Sequence, residues 1–164
     1  IAEKKIKYIR FERKILDYGT ENVFQFKSLK ELIVFLNKFE NKNILSTLGS
    51  NSLAELRGIE EKNNLFIRIL PTAASIQNAE KLGYLPKNII AMQGPFTENM
   101  NIAMMEQFNI KYLISKKTGN TGGEREKVSA CDKLDVEIIY LEKKEIIYKN
   151  CYKDIDILIK NLIQ

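Results

Sequence analysis

Ile89-Ile90-Ala91-Met92-Gln93-Gly94-Pro95-Phe96 is the stretch on which the fold turns. Its first four residues are apolar without alternation, as expected of a strand covered on both faces. The turn that follows leads to Thr97, a residue suited to cap a helix. A strand of this kind needs helices above and below it, and so parallel neighbours joined by crossover connections.

Working outward, the same unit recurs on either side. Upstream, residues 65–70 read as a strand, Pro71-Thr72 as a turn, and residues 72–82 as a helix closed by Gly83 with Pro86 beyond it. Before that, residues 43–48 form a buried strand that opens into Gly49-Ser50-Asn51 and a helix with Ser52 and Glu55 as a capping box. Ser28 and Glu31 form another such box, opening a helix with Leu29, Leu32, Ile33, Leu36 and Phe39 on one face.

Downstream, the helix capped by Thr97 runs to about Phe108 with Met100, Ala103, Met104 and Phe108 as its apolar stripe. Residues 112–115 form the next strand, followed by a glycine loop at 119–123 and a helix from about Glu124 to Leu134, where Cys131 falls on the core face. Residues 136–141 are the last strand of the set. Asp154 caps a final helix whose buried face is predicted to be Ile155, Leu158, Ile159, Leu162 and Ile163. At the other end, residues 7–13 alternate as an edge or connecting strand, and residues 22–26 form a short second one.

The implied architecture is α/β: a Rossmann-like parallel sheet of about five strands with helices on both faces, preceded by one or two short connecting strands. Residues 28–164 form that domain, and residues 1–27 read as a connecting segment from an N-terminal domain that is missing here. A chain of 164 residues is long enough to bury a core without metals or disulfides, and its two cysteines, Cys131 and Cys151, fit neither a disulfide framework nor a redox motif. The sequence contains no histidine, which argues against hydrolytic triads and the usual zinc sites. No apolar run approaches the roughly 20 residues needed to cross a bilayer, so a cytoplasmic location without membrane association is expected.

The charge is basic, with 26 Lys+Arg against 21 Asp+Glu, which suits an anionic ligand. Only five of these cations are arginines: Arg10, Arg13, Arg57, Arg68 and Arg125. Arg68, inside a sheet strand, is the hardest to explain as a surface charge. Nucleic acid is disfavoured as a partner because aromatics are not interleaved with the basic residues as a stacking platform requires.

In such a sheet ligands bind outside the carboxyl ends of the strands, where loops converge and helix N-termini present free N–H groups. The loops there are Gly49-Ser50-Asn51, Pro71-Thr72, Gln93-Gly94-Pro95-Phe96 and the run Lys116-Lys117-Thr118-Gly119-Asn120-Thr121-Gly122-Gly123. The last joins cations to a flexible helix entry, but it matches neither the phosphate-loop nor the dinucleotide glycine pattern. Glu98 and Asn101 share a face in the first turn of their helix, where capping and ligand contact are equally open readings.

Several segments together resemble one family: Tyr8-Ile9-Arg10-Phe11-Glu12-Arg13, ILSTLGS at 44–50, RILPT at 68–72, IIAMQGPF at 89–96 with Glu98 and Asn101, and ISKKTGNTGGEREK at 114–127. Their order and spacing over residues 8–142 resemble the precorrin-6A reductases, also called precorrin-6x reductases. The resemblance implies an oxidoreductase acting on a CH–CH bond. It would use NADPH or NADH to reduce one macrocycle double bond of precorrin-6A, or of its cobalt complex, in cobalamin biosynthesis. It further implies an anionic tetrapyrrole-derived substrate.

On this resemblance, the candidate substrate contacts are Arg10, Arg13, Gln93, Gly94, Pro95, Phe96, Glu98, Asn101 and Lys116. The candidate cofactor contacts are Thr47, Gly49, Ser50, Gly119, Gly122 and Gly123. No metal is implied, and water, Lys116 and Tyr8 stand as alternative proton donors. Lys117 and Thr118 depart from the Asp or Asn and the Ser expected there in relatives. Members of the family usually begin with another nucleotide-binding-like half, so this chain alone is expected to fall short of full activity. The competing expectation is a noncatalytic nucleotide- or anion-binding module of the same architecture.

Overall fold

A computed structural model describes residues 8–11, 23–59, 61–117, 123–142 and 150–163. Its central feature is a six-stranded sheet in which every pairing is parallel. The strands are β2 (Val23–Phe26), β3 (Asn43–Ser46), β4 (Asn64–Ile69), β5 (Ile89–Ala91), β6 (Tyr112–Lys116) and β7 (Glu137–Leu141). Their spatial order is β2-β7-β6-β3-β4-β5. Separately, β1 (Arg10–Phe11) pairs in parallel with β8 (Cys151–Tyr152).

The five strands expected from the sequence are present and a sixth joins them. Val23–Phe26 is not merely a connection: it pairs with residues 138–141 of β7 along its whole length. Its Phe24 and Phe26 rings pack on Phe35 of the first helix at 4.7 and 5.1 Å, which ties this edge to the core.

The helices are α1 (Leu29–Leu36), α2 (Leu53–Leu56), α3 (Ala73–Lys81), α4 (Glu98–Gln107), α5 (Glu124–Leu134) and α6 (Ile155–Ile163). Strand alternation sends Ile44, Ile67, Ile69, Ile114 and Ile139 to one face of the sheet, where they meet Leu32 and Leu36 of α1, Leu53 and Leu56 of α2, and Ala79 of α3. Leu45, Leu113, Ile138 and Tyr140 point to the other face, against Met105 of α4 and Val128 and Cys131 of α5. Each fully buried Leu or Ile contributes about 1.5–3 kcal/mol relative to exposure, so these two layers dominate the stability of the domain.

Most of the expected helix boundaries are built as the residues dictate. Ser28, Thr72 and Thr97 each accept a hydrogen bond from a backbone N–H three residues on, and Gly83 closes α3 at φ +83°. Asp154 accepts from the N–H groups of Asp156 and Ile157 at the start of α6. Three expectations are corrected. Ser52 does not cap α2, because a 3₁₀ turn precedes that helix and leaves Ser52 at φ −101°, ψ 0°, not in the extended conformation of a capping residue. The buried stripe of α4 contains Asn101, Met104 and Met105, whereas Met100 and Ala103 face solvent, because α4 is turned toward Arg68. Ile155, Ile159 and Leu162 of α6 are exposed and Leu158 is half-buried, since among the described residues this helix rests mainly on β8. The Ile163 side chain lies outside the described set.

Candidate functional site

The chain winds from β3 outward to β4 and β5, then crosses the opposite face to β6 and β7. The direction therefore reverses between β3 and β6, and a crevice opens there at the carboxyl ends of the strands. Thr47 closes the crevice floor by donating from both its backbone N–H and its Oγ1 to the Ile114 carbonyl, each at 2.9 Å. Beside it lies a pocket of about 430 Å³ lined by residues that include Thr47, Gly49, Arg68, Gly94, Phe96 and Lys127.

Two cations dominate this pocket. Arg68 alternates with Ile67 and Ile69 on β4, so its side chain enters the layer between the sheet and helices α4 and α5, where it is only 9% exposed. Its Nη1 donates to Asn101 Oδ1 at 2.8 Å, and its guanidinium lies 4.2 Å from the centroid of the Phe96 ring. Met104 Sδ adds a weak contact at 3.9 Å. Asn101 is itself fixed, since its Nδ2 donates to the Thr97 carbonyl at 2.9 Å. Burial lowers the Arg68 guanidinium to about 10, a range in which it stays charged at neutral pH.

Lys127 comes from α5 and is 7% exposed. Its Nζ donates to Ser115 Oγ, at the end of β6, over 2.9 Å. Burial, reinforced by the positive charge of Arg68, brings its ammonium down to about 8, against weaker opposing effects of Glu124, Cys131 and Glu126. None of the four described ion pairs, Lys62–Glu40, Lys111–Asp135, Lys111–Glu137 and Lys133–Glu98, involves Arg68 or Lys127. Among the described residues neither cation has a carboxylate within ion-pair distance, and although the buried Glu124 offsets part of the Lys127 charge, two adjacent buried cations make the pocket receptive to an anion.

The expected site residues divide into groups. Gly94, Pro95 and Phe96 line the pocket, with the Gly94–Pro95 peptide in the cis form. Gln93 is exposed and outside the lining. Asn101 acts through Arg68, as described. Glu98 points to α5 instead: its carboxylate accepts from Ser129 Oγ at 2.6 Å and pairs with Lys133 Nζ at 2.5 Å. These hydrogen bonds, to Lys133 first and then Ser129, hold its carboxyl below the usual range.

Lys116 is exposed at the end of β6, outside the lining, and Arg10 sits on β1 in register with Cys151. Among the cofactor candidates, Thr47 and Gly49 line the pocket, and Ser50 begins the 3₁₀ turn just past it. Gly49 adopts φ +81° with open space where a Cβ would stand, so a ligand can approach its backbone closely. Gly123 caps α5 in the left-handed region at φ +65°, where an added Cβ would lie 3.4 Å from the Phe96 carbonyl oxygen. Arg13, Gly119 and Gly122 lie outside the described residues.

Lys127 was not a candidate from the sequence. The signal is its phase on α5: it shares the buried face with Val128 and Cys131, where a lysine has no reason to be unless it faces a polar space. Among the described residues no cluster of three or more potential metal ligands occurs, and no helix is long and apolar enough to cross a membrane.

A doubly wound parallel sheet with a buried pair of cations at its switch point defines a Rossmann-like domain with an anion-receptive crevice. The family model of precorrin-6x reductase CbiJ/CobK matches residues 1–162, and the chain belongs to that family. It is 35% identical to a cobalt-precorrin-6A reductase of Methanocaldococcus jannaschii over 159 residues, covering 96% of this chain and 61% of the relative. A second relative of that description, from Methanothermobacter thermautotrophicus, is 32% identical over 140 residues, covering 85% of this chain and 46% of the relative. The chain thus spans about half to three-fifths of the length of these relatives. A solved structure described as CobK precorrin-6A reductase superposes with a TM-score of 0.76 at 15% identity, over 99% of this chain and 64% of that one, which places the fold.

Proposed function

We propose that this chain forms the tetrapyrrole-facing part of a reductase that uses NADPH or NADH to reduce one macrocycle double bond of precorrin-6A or cobalt-precorrin-6A in cobalamin biosynthesis. The observation that carries the proposal is the buried Arg68–Lys127 pair opening into the crevice. Its natural ligand is a carboxylate, and the substrate that the family name implies carries a ring of them. Arg68 serves as the anchor, since Asn101 and Phe96 fix its orientation before any ligand arrives and little freedom is lost on binding.

The reduced nicotinamide supplies a hydride. On this chain Thr47 and the open backbone of Gly49 are its contacts, and the Gly94-Pro95-Phe96 turn forms the wall between cofactor and macrocycle. The protein contributes orientation and charge, tasks that need neither metal nor histidine.

The test is spectroscopic titration of the intact gene product with cobalt-precorrin-6A. Arg68→Met is expected to weaken binding by about tenfold or more, the effect of losing a hydrogen bond to a charged group. If Arg68→Met binds the macrocycle as well as the wild type does, the crevice is not the carboxylate site. If a nicotinamide or another anion binds and the macrocycle does not, the chain is a noncatalytic binding module.

A further inference from the structure

The reduction leaves one requirement unmet: a proton must reach the carbon beside the one that takes the hydride. Such a donor must lie in the crevice, hold a proton at neutral pH and be able to give it up. Histidine is absent from the chain. Arg68 and Lys127 are the two titratable side chains of the described lining. Arg68 is held on Asn101 and Phe96, and a guanidinium binds its proton too tightly to release it.

Lys127 is built differently. Among the described residues it has one hydrogen-bond partner, Ser115 Oγ, which receives one of its three ammonium protons and leaves the others for further acceptors. Lys116, a donor considered from the sequence, is exposed outside the lining, and Tyr8 is exposed ahead of β1.

The geometry points to Lys127 as the proton donor of the reduction, with Ser115 positioning its ammonium and Arg68 anchoring the substrate beside it. This assignment rests on the reductase reading above. The macrocycle π bond breaks, and one carbon takes the hydride and its electron pair from the reduced nicotinamide, which becomes oxidised. The neighbouring carbon takes a proton from Lys127. The neutral amine left behind is reprotonated from solvent, so each turnover consumes one hydride and one proton. Burial and the charge of Arg68 keep the ammonium near 8, where both donation and reloading are feasible at neutral pH.

The experiment compares wild type, Lys127→Arg, Lys127→Met and Ser115→Ala in the intact gene product, with cobalt-precorrin-6A and NADPH. Folding is checked by circular dichroism, and macrocycle binding is measured separately by absorbance titration. The wild-type kcat/KM is expected to fall on the alkaline side with an apparent pKa near 8, and kcat at a higher pH because the bound anionic substrate favours the ammonium. Lys127→Arg keeps the charge, so binding is expected to stay within about threefold while kcat drops about a hundredfold or more and its alkaline limb moves up. Lys127→Met is expected to lose kcat to at least the same extent, and Ser115→Ala to move the alkaline limb without abolishing turnover.

A Lys127→Arg enzyme with near-normal kcat and an unchanged pH profile would overturn the assignment, as would a defect confined to KM, which would make Lys127 a second anchor. In both cases wild-type turnover keeps the reductase reading intact. A wild type that binds the macrocycle but never reduces it would overturn the reductase reading and the assignment together.

Discussion

Asn101 on α4 holds Arg68 on β4: its Oδ1 accepts from Arg68 Nη1 at 2.8 Å while its Nδ2 donates to the Thr97 carbonyl at the helix start. One amide thus links a sheet strand to the helix that follows the Gly94-Pro95-Phe96 turn. Asn101→Ala leaves a buried guanidinium short of its acceptor, which costs about 1–3 kcal/mol. Asn101→Asp supplies a carboxylate to Arg68 but loses the donor to the Thr97 carbonyl, so it is expected to be less destabilised than Asn101→Ala while competing with the ligand for Arg68. Urea unfolding and macrocycle titration, run on both variants, separate the two effects. Equal ligand affinity in wild type and Asn101→Asp would mean that Arg68 does not meet the anion.

Lys127 gives the stability of the ligand-free protein a pH dependence of known sign. In the unfolded chain a lysine keeps its proton to about pH 10.5, whereas in the fold Lys127 releases it above about 8 because it is buried and faces Arg68. Between these values the unfolded state binds more protons, so this lysine's contribution makes stability rise with pH. Below about 8 the buried ammonium is a full liability, on the order of 3 kcal/mol as an upper bound. Lys127→Met is therefore expected to be more stable than wild type at neutral pH, with the gap closing toward pH 10 or so. Taking the difference between the two proteins cancels the opposite alkaline effect of Tyr84, and that of Cys131 apart from its coupling to Lys127; both groups are raised to about 12. Chemical denaturation across this range checks it, and a gap independent of pH would contradict it.

The sheet and its order of elements were legible because apolar strands, capping residues and terminal glycines repeat in a fixed sequence, and each signal is local. Thr72, Thr97 and Gly83 do what their residue types dictate. What was not legible depends on phase or on distant partners. The amphipathic face of α6 specifies that the helix is apolar on one side but not what covers it. Asn101 was visible as a candidate, but its role needed β4 to place Arg68 across from it. Glu98 has the same spacing signal, and Lys133 with Ser129 on α5 takes it away from the crevice. Lys127 closes the segment 114–127 and falls on the helix expected from Glu124, but its burial facing Arg68 depends on how that helix packs on the sheet.

The two thiols are expected to differ in reactivity. Cys131 is buried under α5 with its sulfur 3.9 Å from Met105 Sδ, and burial first, then Asp132, pushes its thiol up to about 12 against the pull of Lys127. Cys151 on β8 is half-buried. A thiol reagent near neutral pH is expected to label Cys151 in the native protein and Cys131 only at the rate of unfolding. Cys151→Ser tests this directly: rapid labelling of that variant in native buffer would show that the layer between α5 and the sheet opens without unfolding.

Gly49 lines the crevice and Gly123 lies behind the Phe96 turn, and the two are expected to fail differently when given a side chain. Gly49 combines φ +81° with ψ −178°, a region open in practice only to glycine, yet an added Cβ would meet nothing within 4 Å. Gly49→Ala should therefore cost about 1–3 kcal/mol from backbone strain alone, and its methyl group would occupy space that a ligand needs. Gly123 lies in the left-handed helical region, where alanine costs about 1–2 kcal/mol, and its Cβ would lie 3.4 Å from the Phe96 carbonyl. Gly123→Ala should strain the entry to α5, where the Phe96 carbonyl is at contact distance, and any relaxation there reaches the Phe96 turn and Arg68, weakening macrocycle binding through the wall of the crevice. Gly49→Ala should instead weaken nicotinamide binding and leave macrocycle affinity within about twofold. Titrating both ligands against both variants decides it. If the two variants lose the same ligand, cofactor and macrocycle do not divide the crevice between Gly49 and Phe96.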